Sequence, residues 1–315
     1  MRQTALQSEG INHMYDIIIV GAGPAGLTAA LYALRADKTV LVLEKSTFGG
    51  QITYSPQIEN YPGIATMSGN EFADKLVDQV INQGAEIEME TVIAIRDNGA
   101  TKTVVTEDGE HEAKAVIIAT GVKHRQTGLP NENELVGEGV SYCAVCDGAF
   151  FKGQTVAVLG GGNSALQEAV LLSEGCSKVY VIQNLDYFTG EAKLVEKLKA
   201  KDNVEFIMGT VITALKGEKA LEGLTLRKES DGSESELKVD GLFVAIGLIP
   251  NNKAFADVAG LDEWGYIDSD ESCVTKTAGV FVAGDCRKKQ IRQITTAAAD
   301  GSIAALAACR YIDSL

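Results

Sequence analysis

The chain has 315 residues, of which 45% are hydrophobic and 23% charged, which is enough for two globular domains with sizeable cores. The formal net charge of −15 disfavours nucleic acid as a partner, because binding to nucleic acid depends on neutralising phosphates. No apolar run reaches the roughly 18 residues of a membrane span, and the start of the chain, predicted to be a frayed leader before Tyr15, lacks a signal-peptide core. We therefore expect a cytoplasmic protein.

Residues 15–45 predict a strand, a glycine turn, a helix and a second strand. The turn, GAGPAG at 21–26, is a full G-x-G-x-x-G, whose glycines allow a tight turn, the approach of a diphosphate and close helix–strand packing. Glu44 ends the second strand, where an acid can accept hydrogen bonds from an adenosine ribose. This unit predicts a dinucleotide site.

The next segment predicts a helix near 70–83 and strands near 86–95, 102–106 and 115–119. HRQTGLPNENELVGEG, at 124–139, is rich in Gly, Asn and Pro and indicates a linker.

Cys143, Cys146 and Asp147 form the motif CAVCD directly after this segment. A C-x-x-C dithiol closes readily into a disulfide and indicates redox chemistry in a cytosolic protein with βαβ patterns. Asp147 could shuttle the proton that disulfide cleavage requires. The other cysteines are expected to be inert core residues, and the histidines show no ligand spacing, so we predict no metal site.

Residues 155–182 repeat the strand–turn–helix–strand unit around GGGNSA at 160–165. The second strand runs into VIQNLDYFTG, where a nicotinamide dinucleotide requires an acid for its ribose or arginines for its 2′-phosphate. Gln183 stands at the acid position and no arginine follows. The sequence therefore predicts a degenerate pyridine-nucleotide site, with a purely structural glycine turn as the alternative.

A second boundary lies in LFVAIGLIPNN, at 242–252, and is followed by the strand and turn GVFVAGDC, at 279–286, and a closing small-residue helix. The predicted fold is α/β, with two Rossmann-like dinucleotide-binding domains, the second inserted in the first. The predicted boundaries are 1–122 with 252–315 for a discontinuous FAD-binding domain, and 123–251 for the smaller domain.

Together, GAGPAG, GGQ at 49–51, ENYPG at 59–63, ATG at 119–121, CAVCDG, GGGNSA and GDC followed by RQ at 292–293 resemble the low-molecular-weight thioredoxin reductases. The resemblance covers nearly the whole chain from Tyr15. It implies FAD in the discontinuous domain, thioredoxin as substrate, a rotating smaller domain and a homodimer. It also implies that Cys146 lies next to the flavin, that Cys143 attacks thioredoxin and that Asp147 is the acid–base residue.

The same resemblance implies a set of FAD-binding positions. These are Gly21, Gly23, Pro24, Ala25, Gly26, Glu44, Lys45, Gly50, Gln51, Asn60, Val92, Ala119, Thr120, Gly121, Gly284, Asp285, Arg292, Gln293 and Ile294.

The departure from the family lies in VIQNLDYFTG. NADPH-using members typically carry H-R-R-D-x-F-R where this chain has Gln183-Asn184-Leu185-Asp186-Tyr187-Phe188-Thr189, so all the basic positions are lost. In this the chain resembles the ferredoxin-dependent flavin thioredoxin reductases, which implies reduced ferredoxin as the electron donor. An acidic ferredoxin would need a basic patch, and residues 287–292, RKKQIR, are the candidate.

Several alternatives stay open. The chain could be an NAD(P)H-dependent thioredoxin reductase or a flavoprotein that reduces a peroxiredoxin, since Gln183 could still hydrogen-bond a ribose. It could be a small-molecule dithiol oxidase, although such enzymes usually need a histidine by the dithiol and none lies near CAVCD in sequence. It could also be a flavin-binding module whose dithiol only senses redox state. A second flavin in the degenerate site is a further open question.

Overall fold

A computed structural model describes residues 14–55 and 57–315 of the chain. The predicted leader lies outside the described residues except for Met14, which already belongs to the first strand.

Strands and helices alternate along most of the described chain. In chain order the strands are β1 (Met14–Val20), β2 (Val40–Glu44), β3 (Glu86–Met89), β4 (Val92–Asp97), β5 (Lys102–Thr106), β6 (Glu110–Ile118), β7 (Val122–His124), β8 (Val140–Ser141), β9 (Thr155–Leu159), β10 (Lys178–Ile182), β11 (Val204–Ile207), β12 (Thr210–Lys216), β13 (Gly223–Lys228), β14 (Glu234–Leu237), β15 (Gly241–Val244), β16 (Leu248–Pro250) and β17 (Val280–Val282). The helices are α1 (Pro24–Leu34), α2 (Gly69–Ile81), α3 (Glu132–Leu135), α4 (Ala144–Asp147), α5 (Asn163–Ser173), α6 (Ala192–Lys199), α7 (Ala256–Ala259) and α8 (Ile294–Asp313).

The chain divides into two compact units. Of the described residues, the first unit comprises 14–52, 71–122 and 250–315, and the second comprises 53–55, 57–70 and 123–249. The crossings near 122 and 250 lie close to the boundaries drawn from the sequence. The grouping of 53–70 with the second unit had no counterpart in the sequence patterns.

The first unit is built on a seven-stranded sheet of order β3-β2-β1-β6-β5-β4, with β17 also pairing with β6. β1 pairs in parallel with β2 and β6, which brings the ends of these strands to one edge. The predicted strand near 86–95 is two strands, because β3 pairs with β2 in parallel whereas β4 pairs with β5 in antiparallel register.

Small residues let α8 pack closely on α1 over one face of this sheet. A Cβ atom added at Gly301 of α8 would lie 2.2 Å from the backbone oxygen of Ala25 in α1. Ala297, Ala304 and Ala308 of α8 are buried in the same cluster. The small residues of α8 thus allow close packing that holds α1 in position, and the first turn of α1 follows the glycine loop.

The second unit contains a five-stranded parallel sheet of order β11-β10-β9-β15-β8 and a three-stranded sheet of order β12-β13-β14. Its segment 124–139 is not a free linker, as the sequence suggested, because it contains α3 and the buried residues Glu132 and Leu135. The Glu132 carboxylate accepts hydrogen bonds from Thr127, Gly128 and the hydroxyl of Tyr142. These bonds satisfy a buried charge and order the polar segment.

Within residues 14–55 and 57–315, no helix combines the length and the apolar character that a bilayer crossing requires.

Candidate functional site

The first glycine loop joins β1 to α1 and has the backbone geometry of a diphosphate cradle. Gly21 has φ +109°, and an added Cβ atom would lie 2.4 Å from the backbone oxygen of Ala119. A Cβ atom at Gly26 would lie 1.9 Å from the backbone oxygen of Gly21. At Gly23 the nearest atom would be 4.0 Å away, so this side of the loop is open for a ligand.

Glu44 closes the loop from the end of β2. Its Oε2 accepts a hydrogen bond of 2.9 Å from the backbone N–H of Ala22, and its Oε1 accepts one of 2.9 Å from that of Ser46. The side chain of Glu44 is thereby held next to the loop, with lone pairs left on both oxygens for ribose hydroxyls. Lys45, which follows it, is exposed.

Asp285 lies in the turn after β17, next to Gly284, which has φ +81°. Burial raises the pKa of Asp285 to about 6, although the charges of Lys289 and Arg292 oppose that shift. Its Oδ1 is buried and has no hydrogen-bond partner within the described part of the chain. A buried acceptor without a donor is costly, so this oxygen fits a site that a polar ligand group completes. Together with the open side of Gly23, it fits the ribityl and diphosphate groups of FAD.

The other predicted FAD-binding positions in the first unit lie on different elements. Ala119 donates its backbone N–H to Val20, Thr120 hydrogen-bonds Asn252 at 3.0 Å, and Gly121 has φ +63°. The remaining ones are Gly50 and Gln51 in a 3-10 helix, with Gln51 donating to the Val122 carbonyl, Val92 at the start of β4, and Arg292, Gln293 and Ile294 at the start of α8. Asn60 belongs to the segment that groups with the second unit. Their roles toward FAD stay predictions.

The predicted basic patch at 287–292 is wrong. Arg287 and Lys289 turn inward and hold the buried carboxylate of Asp300, at distances of 2.8 and 2.9 Å from Arg287 and 2.8 Å from Lys289. Lys288 is exposed but pairs with Asp268 at 3.3 Å. The guanidinium of Arg292 lies over the ring of Tyr266, 4.4 Å from its centroid. Arg287 and Lys289 are therefore committed to the fold, since burial requires them to be paired, whereas Lys288 stays exposed.

The dithiol of the second unit begins α4, directly after β8. Cys143 and Cys146 are joined as a disulfide, and Cys143 Sγ accepts a hydrogen bond of 3.2 Å from the backbone N–H of Cys146. The strand end and the single helical turn therefore place both sulfurs on one short rigid segment.

Asp147 lies at the end of the same turn, next to Ser141. The hydroxyl of Ser141 donates to Asp147 Oδ2 at 2.6 Å and accepts from the backbone N–H of Cys143 at 3.1 Å. Burial raises the pKa of Asp147, although the hydrogen bond from Ser141 opposes that shift. Asp147 Oδ1 is buried without a partner among the described residues. This environment shifts the carboxyl group toward its protonated form, the direction that acid catalysis beside the disulfide requires.

The structure adds a histidine that the sequence order did not place near the dithiol. The ring of His124 stacks on that of Tyr142, the residue before Cys143, with centroids 5.1 Å apart. Burial lowers the pKa of His124 to about 4, so the imidazole is neutral near pH 7.

The sequence patterns also missed Glu168, which α5 presents toward α4. Burial raises the pKa of Glu168 to about 7, with a further rise from the charge of Asp147, while the nearby backbone N–H of Ala144 opposes the shift. Its Oε2 has no partner within the described residues. In sequence Glu168 is only a charged residue in an amphipathic helix, so no local signal distinguishes it.

The second glycine loop, between β9 and α5, has the tight turn of a dinucleotide-binding loop but lacks the acid expected at the ribose position. Gly160 has φ +135°, and an added Cβ atom at Gly162 would have nothing nearer than 3.7 Å. Gln183 is 5% exposed and lies on Gly161, where an added Cβ atom would be 2.4 Å from its Nε2. That amide donates to the backbone oxygen of Tyr187 at 3.2 Å. Gln183, at the position where an acid would bind the ribose, therefore uses its side-chain amide to hydrogen-bond the backbone of its own turn.

The chain beyond Gln183 keeps its packing. Phe188 packs edge-on against Phe206 in the core, with ring centroids 5.0 Å apart, while Asn184 and Asp186 are exposed. The basic residues of the family are therefore replaced by uncharged side chains, while the packing of this segment through Phe188 is retained.

Outside these sites, Glu88, Glu90 and His111 have ligand-type atoms that all lie within 4.8 Å of one another. His111 Nε2 is 2.9 Å from Glu90 Oε2, so the group already forms an ion pair or hydrogen bond. The sequence showed no such spacing because Glu88 and His111 lie on different strands.

Comparisons with known proteins agree with this geometry. The family described as "Pyridine nucleotide-disulphide oxidoreductase" matches residues 15–301. A thioredoxin reductase of Listeria monocytogenes is 41% identical over 303 residues, which is 96% of this chain and 95% of that protein. A "34.2 kDa protein in rubredoxin operon" of Clostridium pasteurianum is 40% identical over 298 residues, or 94% and 97% of the two chains.

The solved structure of thioredoxin reductase from Streptococcus pyogenes MGAS5005 has a TM-score of 0.93 and 39% identity, and the match covers 96% of this chain and 100% of that one. The predicted fold class of two dinucleotide-binding domains is thereby confirmed. FAD as the predicted cofactor is confirmed as well, because these homologues are FAD-binding flavoproteins. The chain belongs to the pyridine nucleotide-disulphide oxidoreductases and, within them, to the low-molecular-weight thioredoxin reductase family.

Proposed function

We propose that this protein is a flavin-dependent reductase that reduces the disulfide of thioredoxin through Cys143 and Cys146, and that its electrons come from reduced ferredoxin rather than from NADPH. The observation that carries the choice of donor is the second glycine loop. Its turn is retained, but Gln183 is buried in place of the ribose acid and Asn184, Leu185 and Thr189 stand where phosphate-binding cations are needed.

A further carboxylate supports this reading of the loop. Glu191 binds Asn163, the first residue of α5, through a backbone N–H bond of 2.7 Å and a side-chain contact of 3.2 Å. Its negative charge therefore lies at the helix terminus where the phosphates of a dinucleotide would bind. A like charge at that position weakens anion binding.

The disulfide and its acid support the thiol half of the reaction. Cys143 is proposed to attack the thioredoxin disulfide, and Cys146 to close the internal disulfide as the resolving thiol. Asp147, held by Ser141 and raised in pKa by burial, would supply the proton to the departing thiolate. The relatives named thioredoxin reductases support thioredoxin as the substrate.

FAD, when bound, supplies the step between single electrons and electron pairs. The residues proposed to hold it are Gly21, Gly23 and Gly26 at the diphosphate, Glu44 at the ribose and Asp285 at the ribityl chain. The thermodynamics favour the transfer. Plant-type ferredoxins lie near about −400 mV and thioredoxin near about −270 mV, so two electrons release roughly 6 kcal/mol.

The charge of the chain limits how the donor could dock. Arg287 and Lys289 pair with Asp300 and Arg292 lies over Tyr266, so Lys288 is the only cation of this turn with a mainly exposed side chain, and it pairs with Asp268. The donor surface is therefore proposed to lie elsewhere. A homodimer stays a prediction from the family resemblance, and a cytoplasmic location stays a prediction from the sequence.

An anaerobic titration separates the donors. The FAD-loaded protein is mixed in turn with NADPH, NADH and reduced ferredoxin, and bleaching of the flavin absorbance is followed together with thiol release from oxidised thioredoxin. We expect rapid bleaching and thioredoxin reduction with ferredoxin, and slow or no bleaching with micromolar NADPH or NADH. Fast bleaching by either nucleotide would refute the proposed donor. Rapid flavin reduction that leaves thioredoxin oxidised would refute the proposed substrate.

A further inference from the structure

A buried carboxylate of α8 holds the main chain of the turn that carries Asp285. The side chain of Asp300 is only 4% exposed. Its Oδ2 accepts a hydrogen bond of 3.0 Å from the backbone N–H of Gly284, the residue directly before Asp285. The turn after β17 is therefore attached to α8 through this carboxylate.

Two cations from the same turn bind the carboxylate as well. Arg287 donates from Nε to Oδ2 of Asp300 at 2.8 Å and from Nη2 to Oδ1 at 2.9 Å, and Lys289 Nζ donates to Oδ2 at 2.8 Å. Both cationic side chains are buried. A two-pronged guanidinium–carboxylate pair fixes geometry as well as charge. Asp300 thus holds the turn at three positions, residues 284, 287 and 289.

The turn also lies against the first glycine loop. A Cβ atom added at Gly284 would lie 2.8 Å from Cβ of Ala25, and one added at Gly301 would lie 2.2 Å from the backbone oxygen of Ala25. Ala25 belongs to the G-x-G-x-x-G loop, and Gly301 directly follows Asp300. The carboxylate therefore lies where α8, the turn after β17 and the first turn of α1 meet.

The placement of Asp285 depends on this turn. Its Oδ1 is buried and has no hydrogen-bond partner among residues 14–55 and 57–315, so no described donor fixes that oxygen. The main chain on either side of the carboxyl group is held instead. Gly284 is bound by Asp300, and the backbone oxygen of Asp285 accepts a hydrogen bond of 3.3 Å from Nε of Arg292.

We propose that Asp300 is a positioning residue for FAD: by holding Gly284, Arg287 and Lys289 it keeps Asp285 in place for the ribityl chain and keeps the turn on the glycine loop. The role rests on the proposed contact between Asp285 and FAD. It adds to that contact, because Asp300 is not among the residues proposed to touch the cofactor.

Release of FAD from the loaded protein tests this inference without an electron donor or thioredoxin. The FAD-loaded protein is diluted in series, and the recovery of flavin fluorescence gives the release rate and the Kd. Asp300→Asn keeps the size of the side chain but removes the charge that pairs the two cations. We expect its Kd for FAD to rise at least about tenfold, the effect of losing one hydrogen bond to a charged group.

Lys289→Gln is a second variant, which leaves the pair between Arg287 and Asp300 in place. It should weaken FAD binding in the same direction by a smaller factor. If Asp300→Asn does not fold, Lys289→Gln decides the question alone.

Lys102→Met is the matched control for lost stability. Lys102 is fully buried in the same unit and pairs with Asp97 at 3.0 Å. It lies at the opposite end of β17 from Gly284, because a Cβ atom added at Gly279 would be 3.1 Å from its Nζ. This variant should unfold at lower urea concentration but release FAD like the wild type. Lys288→Gln, at the exposed neighbour, should change neither property.

Two results would overturn the proposal. One is a wild-type Kd for FAD in both Asp300→Asn and Lys289→Gln, whatever their unfolding midpoints, since the carboxylate would then serve stability alone. The other is an equal loss of FAD affinity in Lys102→Met, since the effect would then be a general consequence of destabilisation.

Asp285→Ala tests the proposed FAD contact separately. If this variant retains FAD as tightly as the wild type, the assignment of Asp285 to the ribityl chain fails. If it loses affinity while the variants of Asp300 and Lys289 do not, the inference about Asp300 alone fails.

Discussion

Two substitutions in the second unit should strengthen the binding of NADPH at the second glycine loop, where the sequence predicts a degenerate site. Asn184→Arg and Leu185→Arg place guanidinium groups directly after β10. The backbone there stays intact, because Gln183 N–H donates to Ile207 and Leu185 C=O accepts from Gly209. Asn184 is exposed and Leu185 half-buried, so both positions can accept a long side chain that reaches solvent.

The magnitude follows from the number of phosphate contacts restored. Each charge-assisted hydrogen bond contributes about 1.5–3 kcal/mol, and ordering each arginine costs about 0.5–1.5 kcal/mol. At the midpoints of these ranges the net gain for two arginines is about 2.5 kcal/mol, or about 60-fold in Kd at about 1.4 kcal/mol per decade. NADH has no 2′-phosphate, so its affinity should change little.

The assay is an equilibrium titration of the oxidised, FAD-loaded variant with NADP⁺ and NAD⁺, followed by anaerobic flavin reduction with NADPH and NADH. The variant Asn184→Gln with Leu185→Gln is the matched control, since it adds length and polarity without charge. Equal gains for NAD⁺ and NADP⁺ would contradict the reasoning, because the 2′-phosphate would then not be the group that is bound. The same holds if the wild type already binds NADPH as tightly as the arginine variant.

Two further predictions concern the first unit. Gly26→Ala places a Cβ atom 1.9 Å from the Gly21 oxygen. It should destabilise the protein by about 1–3 kcal/mol and lower the flavin-to-protein absorbance ratio. Gly109→Ala is the control, because an added Cβ atom there has no atom within 4 Å, and its melting temperature should equal that of the wild type. Asp300→Asn removes the buried carboxylate that Arg287 and Lys289 share and should cost about 3–5 kcal/mol in urea unfolding. Lys288→Ala at the exposed neighbour should stay within about 0.5 kcal/mol. Burial raises the pKa of Asp300, but the hydrogen bonds from Arg287 and Lys289 outweigh burial and hold that pKa below its ordinary value. Its contribution to stability is therefore present above an unfolded pKa of about 3.9 and lost as pH falls through the lower folded value, a loss that Asp300→Asn should not show.

The basic turn after β17 shows why a charge run in sequence is ambiguous. Arg287, Lys288 and Lys289 are consecutive, yet the side chains of the first and third are buried and that of the middle one is exposed. The partner that draws them inward is Asp300, eleven to thirteen residues later in α8. A pairing that depends on the packing of a distant helix leaves no trace in the local sequence.

The dithiol region gives the same contrast between local and distant information. Cys143, Cys146 and Asp147 are adjacent in sequence, so their spacing is sufficient to predict their chemistry. Glu168 and His124 lie about twenty residues to either side. They reach the dithiol segment only because α5 packs on α4 and the ring of His124 stacks on Tyr142.

The sequence by itself determined the fold class, both glycine loops, the redox dithiol and the loss of cations after Gln183, because glycine turns, C-x-x-C spacing and strand periodicity are local properties of the chain. Tertiary structure alone decided that Gln183 is buried on Gly161, that Asp300 pairs with Arg287 and Lys289 of the basic turn, and that α5 packs against the helical turn of the dithiol. Burial and the partners it brings together set the pKa of a carboxyl group and the availability of a cation, and both depend on packing between segments that are distant in the chain.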